Sequence, residues 1–373
     1  MPNLLFVMTP GMSLSAWKDN GSFSREIKQY LAYADAGYKI RILSFGEEKY
    51  DFSTLHKNIT VVFARSGLIP THLLPVTHRE HFQWADVIKT NQTYLSWVFV
   101  FASRMYKKPI LLRCGFIQGE YLETVSAPFL QKWCYQFFES LGFRYATRVQ
   151  VPTEKLAEWT IRRYRVLREA VVVLPNFIDV DLFCISENII KVERSVVTVG
   201  RLHAVKRYDL LIRACAKIPG AVLTIVGEGP TRKSLQDLAT TLGVNLRLPG
   251  SVSNERLPGI LCEHQVFVMT SLREGHPKAL IEAMGCGLPS VCVKVTGVED
   301  IIRYSKAGLL VGPNPMEISA AILNLLNDSH KREFFGQAAS AYARGMYSFV
   351  NIFDKELLTL KQLCFSAHGL KNV

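Results

Sequence analysis

A chain of 373 residues is long for one hydrophobic core and divides comfortably into two domains of under about 200 residues each. Hydrophobic residues at 49% and charged ones at 20% exclude a disordered chain, and no run of eighteen apolar residues occurs, which excludes a conventional membrane-spanning helix; the longest candidate, Leu95 to Ala102, is too short. A formal net charge of +12 favours anionic partners, phosphates or an acidic membrane surface, whereas nucleic acid is disfavoured because no helix-turn-helix, zinc-finger or RNA-recognition signature accompanies the charge.

The opening, MPNLLFVMTPG, has no basic flank and breaks at Pro10-Gly11, so it reads as a first β-strand and not as a signal peptide, and a cytoplasmic protein is expected. A polar loop containing Asn20-Gly21-Ser22 comes next, then an amphipathic helix, SREIKQYLAYADAG, closed by Gly37, then the strand KIRILSFG. Strand, glycine-containing loop, helix and strand make the start of a Rossmann-like half, in which Gly21 either lets the backbone approach a ligand or is a plain loop glycine. Further strands read at NITVVFA, at Asp86 to Asn91, at PILLR and at TRVQVP, with helices between them, which implies a parallel sheet. The ends of two of these, Thr90-Asn91-Gln92 and Arg113-Cys114-Gly115, should point into one crevice, where Arg113 suits an acceptor phosphate or a structural salt bridge.

Basic clusters stand at Lys107-Lys108 and at Arg162, Arg163, Arg165 and Arg168, the latter ending a helix, TEKLAEWTIRRYR; they suit a peripheral contact with anionic lipid. The eight cysteines are scattered without a CxxC pair, so neither a zinc site nor a disulfide framework is expected.

In the second half, SVVTVGRL is a strand ending in Gly200-Arg201, with Lys206 five residues beyond Arg201 and ahead of the helix RYDLLIRACAKI. An arginine fork and a lysine point charge leaving one strand end can converge on a diphosphate. AVLTIVGEGPTRKSL is strand, Gly227-Glu228-Gly229-Pro230 turn and helix; the third glycine of a dinucleotide fingerprint is missing and Pro230 sits at the helix start, so NAD binding is rejected. NLRLPG and the helix ERLPGILCE lead to the most informative stretch, residues 270–288, where Glu274 and Glu282 bracket a Gly-His-Pro turn between the strand QVFVM and the helix KALIEAM. In a parallel sheet such a loop lies at the carboxyl ends of the strands, its N–H groups over Gly275 to Lys278 suit a phosphate or hydroxyl, and a carboxylate such as Glu282 can accept from two vicinal hydroxyls.

EGHPKALIEAM resembles the double-glutamate signature of family 4 of the retaining, nucleotide-sugar-dependent glycosyltransferases, whose GT-B architecture is α/β, with two Rossmann-like domains and parallel sheets facing a central cleft. The resemblance covers most of the chain, most firmly about 170–325, and it implies an acceptor-side domain over 1–185, a nucleotide-sugar-binding domain over 186–345 and a terminal helix, 346–373, crossing back to the first. It implies that Gly200-Arg201 and Lys206 clamp the diphosphate, that Gly227 and Pro249 lie near the nucleotide and that Glu274 stands by the donor sugar. The resemblance further implies that Gly275, His276, Pro277, Ala279 and Leu280 line the donor, that Lys278 either reaches the nucleotide or faces solvent, and that Glu282 holds the ribose. Cys114 stands where relatives often carry a histidine that contacts the sugar, and His276 where they are often aromatic. Asp179-Val180-Asp181 has the spacing of a metal motif, but Pro175-Asn176 before it and Phe183 after it resemble the family's interdomain linker, so the aspartates are expected to cap and link.

The reaction implied is sugar transfer from a nucleoside diphosphate, UDP or GDP foremost, to an acceptor hydroxyl with retention, without metal or cofactor. The acceptor is expected to be a carbohydrate or lipid-linked glycan of the cell surface, at the inner face of a membrane. A nucleotide-sugar epimerase or a phosphorylase on the same fold, and a non-catalytic sugar-binding protein, are the alternatives. Turnover without an acceptor would mark the epimerase, and no turnover the binding protein.

Overall fold

The computed structural model describes residues 1–46, 48–64, 70–115, 128–186 and 188–369, and the chain forms two compact units, residues 1–175 with 353–373 and residues 176–352. Part of the loop at Arg113-Cys114-Gly115 continues outside the described residues.

The first unit is built on a seven-stranded sheet: β1 (Asn3–Val7), β2 (Lys39–Phe45), β3 (Ile59–Ala64), β4 (Val87–Thr90), β5 (Ile110–Arg113), β6 (Arg148–Val151) and β7 (Val171–Val173). The order is β3-β2-β1-β4-β5-β6-β7, parallel throughout, so the order reverses direction between β1 and β4. The strands are short and mostly apolar, as suits a sheet covered on both faces.

The polar loop expected after β1 contains a helix, Leu14–Asp19. Ser13 caps it by accepting from the Ala16 N–H at 3.1 Å, and the Glu48 carboxylate takes the Leu14 and Ser15 N–H groups at 3.0 and 2.8 Å. A carboxylate thirty-three residues downstream of Ser15 supplies the helix start, which local sequence does not reveal.

The helix Phe349–Gly369 leaves the second unit and joins the first from Phe353. There Glu356, buried, pairs with Lys89 of β4, which is fully buried. Gln29 Nε2 donates to the same carboxylate at 2.5 Å, and the ammonium lies over the Tyr30 and Tyr33 rings at 5.3 and 5.2 Å. Burial opposes charge on both partners. For Glu356 the attraction and hydrogen bond of Lys89, with a hydrogen bond from Tyr33, hold the carboxyl below its usual range, while burial lowers the pKa of Lys89.

The second unit has six strands: β8 (Ser195–Val199), β9 (Val222–Val226), β10 (Asn245–Gly250), β11 (Val266–Met269), β12 (Ser290–Val293) and β13 (Gly308–Val311). Their order is β10-β9-β8-β11-β12-β13, again all parallel, and here direction reverses between β8 and β11. Helices cover the sheet, and the long helix Ser329–Tyr347 packs on Lys278–Gly285 where Gly336 lies against the Gly287 carbonyl.

Glu356→Ala would strand the Lys89 ammonium in the core, a change that costs about 3–5 kcal/mol when one partner of a buried pair is removed. Urea denaturation should show the first unit losing stability by that amount, and the double variant Lys89→Met with Glu356→Leu should recover most of it.

Candidate functional site

In an open parallel sheet, ligands collect at the carboxyl ends of the strands where the order reverses. In the second unit that point lies between β8 and β11, paired through Val196 with Val266 and Val197 with Phe267. The chain leaves β8 as Gly200-Arg201-Leu202 and leaves β11 as Thr270-Ser271-Leu272-Arg273-Glu274, so the two stretches singled out from sequence emerge side by side.

They are tied together. The Leu272 N–H donates to the Val205 carbonyl at 2.8 Å, and the Thr270 hydroxyl lies 2.9 and 3.1 Å from the carbonyls of Lys206 and Arg207. Lys206 Nζ then donates to Glu274 Oε1 at 2.5 Å, with both side chains part-buried. A cation and a carboxylate, 68 residues apart in sequence, are held at one place.

The glycines make this approach possible. A Cβ on Gly227, whose φ is +141°, would stand 2.1 Å from the Gly200 carbonyl, and one on Gly297, at φ +86°, would stand 2.2 Å from the Gly275 carbonyl. Beyond Gly200 the chain runs beside β9: the Leu202 N–H donates to the Glu228 carbonyl at 2.8 Å. Arg232 closes the same turn, its guanidinium reaching Glu228 and the Leu248 carbonyl, each at 2.8 Å. Pro249 is exposed beside that contact at the end of β10. Arg201 is exposed.

The turn after Glu274 ends in the helix Lys278–Gly285, for which Pro277 is the cap position, with φ −74° and ψ 109°. The expected Pro277 within the first turn therefore sits one residue earlier, where its ring suits the extended ψ. No side chain caps the helix and no acidic residue occupies its first turn, so the start of the helix carries no local negative charge against its dipole. Gly275 is half-buried, and the His276 carbonyl accepts from Asn176 Nδ2 at 2.6 Å. The His276 ring is buried edge-on to Tyr347, with centroids 4.9 Å apart, and burial with the Lys278 charge nearby lowers its pKa to about 4. Neutral at physiological pH, it packs rather than carries charge. Lys278 Nζ lies 5.9 Å from the centre of the Phe177 ring. Glu282 is only 2% exposed, within the same helix.

Two expected residues lie in the first unit. Gly21, at φ +75°, forms the turn between the helices Leu14–Asp19 and Phe23–Asp35, so its backbone freedom serves the end of a helix. Arg113 ends β5 with Nη1 3.4 Å from Asn91 Oδ1, and its charge acts on the buried Lys89 and Glu356. Cys114 is buried. The Asp181 N–H donates to Asp179 Oδ1 at 3.3 Å, a local turn contact, and among the described residues no cluster of three His, Cys, Asp or Glu is placed to hold a metal.

Sequence reasoning did not single out Thr270 or Asn176 for roles. Thr270 was legible in principle, as a hydroxyl immediately beyond a buried strand at the reversal point; the reach of Asn176 to residue 276 was not.

Residues 26–182 match the family described as Glycosyltransferase Family 4, and residues 185–342 that of Glycosyl transferases group 1. The chain is 34% identical over 148 residues to the sulfoquinovosyl transferase SQD2 of Arabidopsis thaliana, covering 39% of this chain and 29% of that one. It is 30% identical over 165 residues to the lipopolysaccharide core biosynthesis glycosyltransferase LpsE of Rhizobium meliloti, covering 44% of this chain and 47% of that one. These matches thus span half or less of the relatives' own length. The crystal structure of HepE from Anabaena in complex with UDP-glucose has the same fold, with a TM-score of 0.77 at 20% identity, covering 97% of this chain and all of that one.

Because the pKa of His276 falls from 6.5 to about 4 on folding, the unfolded chain binds the extra proton between those values, and stability is lost as pH drops through them. Urea denaturation at pH 7 and pH 4.5 should show wild type losing about 2 kcal/mol relative to His276→Phe over that interval. Gly227→Ala should destabilise the second unit at both pH values, because its Cβ meets a backbone carbonyl that cannot step aside.

Proposed function

Matched over its two halves by these two families, the chain belongs to the glycosyltransferases of GT-B architecture, and we propose that it moves a sugar from a nucleoside diphosphate to an acceptor hydroxyl with retention of configuration. The observation that carries this reading is the Lys206 to Glu274 contact at the β8/β11 reversal, beside the exposed Arg201.

A departing diphosphate needs positive charge, and Arg201 and Lys206 supply it as a fork and a point charge, so no divalent metal is required. Glu274, held by Lys206, accepts from hydroxyls of the donor sugar, and the N–H groups of Gly275, Lys278, Ala279 and Leu280 add dipoles as positive charge develops at the anomeric carbon. Glu282 holds the ribose; buried as it is, its hydrogen bonds act in a low dielectric. Gly200 and Gly227 bring backbone close to the phosphates, and Pro249 borders the base. No side chain acts as a nucleophile: a leaving-group oxygen takes the acceptor proton on the face from which it departs, and the new glycosidic bond forms there.

UDP is the foremost nucleotide, in line with the UDP-glucose bound by the similarly folded HepE. The likeness to a lipopolysaccharide core enzyme favours a glycan or lipid-linked acceptor. Among the described residues no helix is long and apolar enough to cross a membrane, so the membrane contact of this reading is peripheral, on the cytoplasmic face.

A panel of UDP-, GDP- and ADP-sugars tests the reading through thermal stabilisation and slow nucleotide release. One donor should stabilise the protein, lose that effect in Glu282→Ala, and turn over about 100-fold more slowly in Lys206→Ala, with EDTA leaving the wild-type rate unchanged. A protein that no donor stabilises at several millimolar, above the usual ~1 mM ceiling for KM, would overturn it.

A further inference from the structure

The helix Phe129–Tyr145 of the first unit turns an apolar stripe to solvent. Phe129, Leu130, Trp133 and Phe137 are 83%, 69%, 54% and 46% exposed, and their spacing puts them on one helix face. The Trp133 and Phe137 rings stack on each other 5.5 Å apart. A monomer with no use for such a stripe would bury it or break it with charge; large exposed apolar patches mark interaction surfaces.

A pocket opens beside this stripe. The helices Phe129–Tyr145 and Ser96–Met105 meet at Gly142, where a Cβ would stand 2.8 Å from the Ser96 hydroxyl. On the N-terminal side of that crossing lies a cavity of about 230 Å³, lined mainly by Leu95, Trp97, Cys134, Tyr135 and Phe138, with Glu139 engaged by the Tyr164 hydroxyl at 2.6 Å. Leu95 itself is in the left-handed region at φ +54°, a conformation a leucine keeps only where its surroundings impose it. The cavity is below the size usual for a nucleotide-sized ligand and suits a slim apolar chain.

Cations lie on this helix and against it. Lys132 lies on the helix, Arg104 bonds the Tyr145 carbonyl at 3.2 Å, Arg144 bonds the Tyr164 carbonyl at 3.0 Å, and Arg163 bonds Gln136 at 3.3 Å. Among the described residues none of these four pairs with a carboxylate, whereas Arg162 and Arg168, expected from sequence to contribute, are paired with Glu158 and Glu154.

Exposed aromatic rings beside an apolar pocket, with cations on and against the same helix that, among the described residues, have no carboxylate partner, match the boundary of an anionic bilayer: rings at headgroup depth, cations at phosphates, hydrocarbon within. We propose that this face of the first unit docks on an anionic membrane and that the pocket takes the hydrocarbon chain of one lipid. The inference rests on the membrane contact in the function proposed above but not on the donor chemistry, and it gives that contact a place the net charge alone did not.

The test uses the full chain and vesicles of phosphatidylcholine with or without phosphatidylglycerol, with no donor present. Wild type should float with the anionic vesicles, and Phe129→Ser/Trp133→Ser/Phe137→Ser, all exposed sites, should lose at least about tenfold in apparent affinity while its circular dichroism and melting stay unchanged. Phosphatidylglycerol carrying a photoreactive group at its acyl end should label the peptide containing Cys134, Tyr135 and Phe138, and Cys134→Trp, which fills the pocket, should abolish that label but not flotation. A triple variant that floats like wild type overturns the proposal. Labelling confined to other peptides overturns the pocket, and a fall in oligomeric mass by light scattering, with flotation unchanged, reassigns the face to a second copy of the chain. Donor-dependent stabilisation read on the same variants keeps a failure of the donor reading separate.

Discussion

The second unit depends on how closely the chain leaving β8 passes its neighbours. Parallel strands 4.7–4.9 Å apart leave room for backbone alone wherever segments continue past the sheet and bond one another, as Leu202 does with Glu228. Side chains at Gly227 or Gly297 would push Gly200 away from β9, or Gly275 away from the loop before Glu299–Ser305. With the glycines in place, the loop after β8 settles against the loop after β11, Thr270 ties it down, and Lys206 reaches Glu274. The site follows from the packing and needs no special element of its own.

Much of this was legible because the signals were local. Short apolar strands alternating with helices specify a parallel sheet, and glycines at strand ends followed by charged residues specify where it presents chemistry. What was not legible depends on distant partners. The helix Leu14–Asp19 has a local cap in Ser13, but its Leu14 and Ser15 N–H groups are taken by the distant Glu48, and the segment read as a loop. Gly21 read equally as a ligand-facing or a plain loop glycine, and it stands at φ +75° just beyond that helix, since the same positive φ serves both purposes. Arg162 and Arg168 looked like free cations, but their glutamates, four and fourteen positions away, take up the charge. Conversely, from sequence the segment between PILLR and TRVQVP was placed only as helix, and its position outside the core reveals an exposed apolar face.

The two units contain the same chemical pair in opposite settings. Lys89 and Glu356 are sealed off from solvent, within a shell of Tyr30, Tyr33, Gln29 and Gln150. The charges there are compensated chiefly by one another and by their hydrogen bonds, with Arg113 adding to the attraction on Glu356, so the pair cannot change partners without unfolding its surroundings, and it fixes the terminal helix to the first sheet. Lys206 and Glu274 keep 21% and 12% of their side-chain surface in solvent. Neither is sealed, so in the function proposed above an anion approaching Lys206 would replace the carboxylate as partner and Glu274 would turn to hydroxyl donors. Access, more than residue type, separates the pair that holds the fold from the pair that solvent can reach.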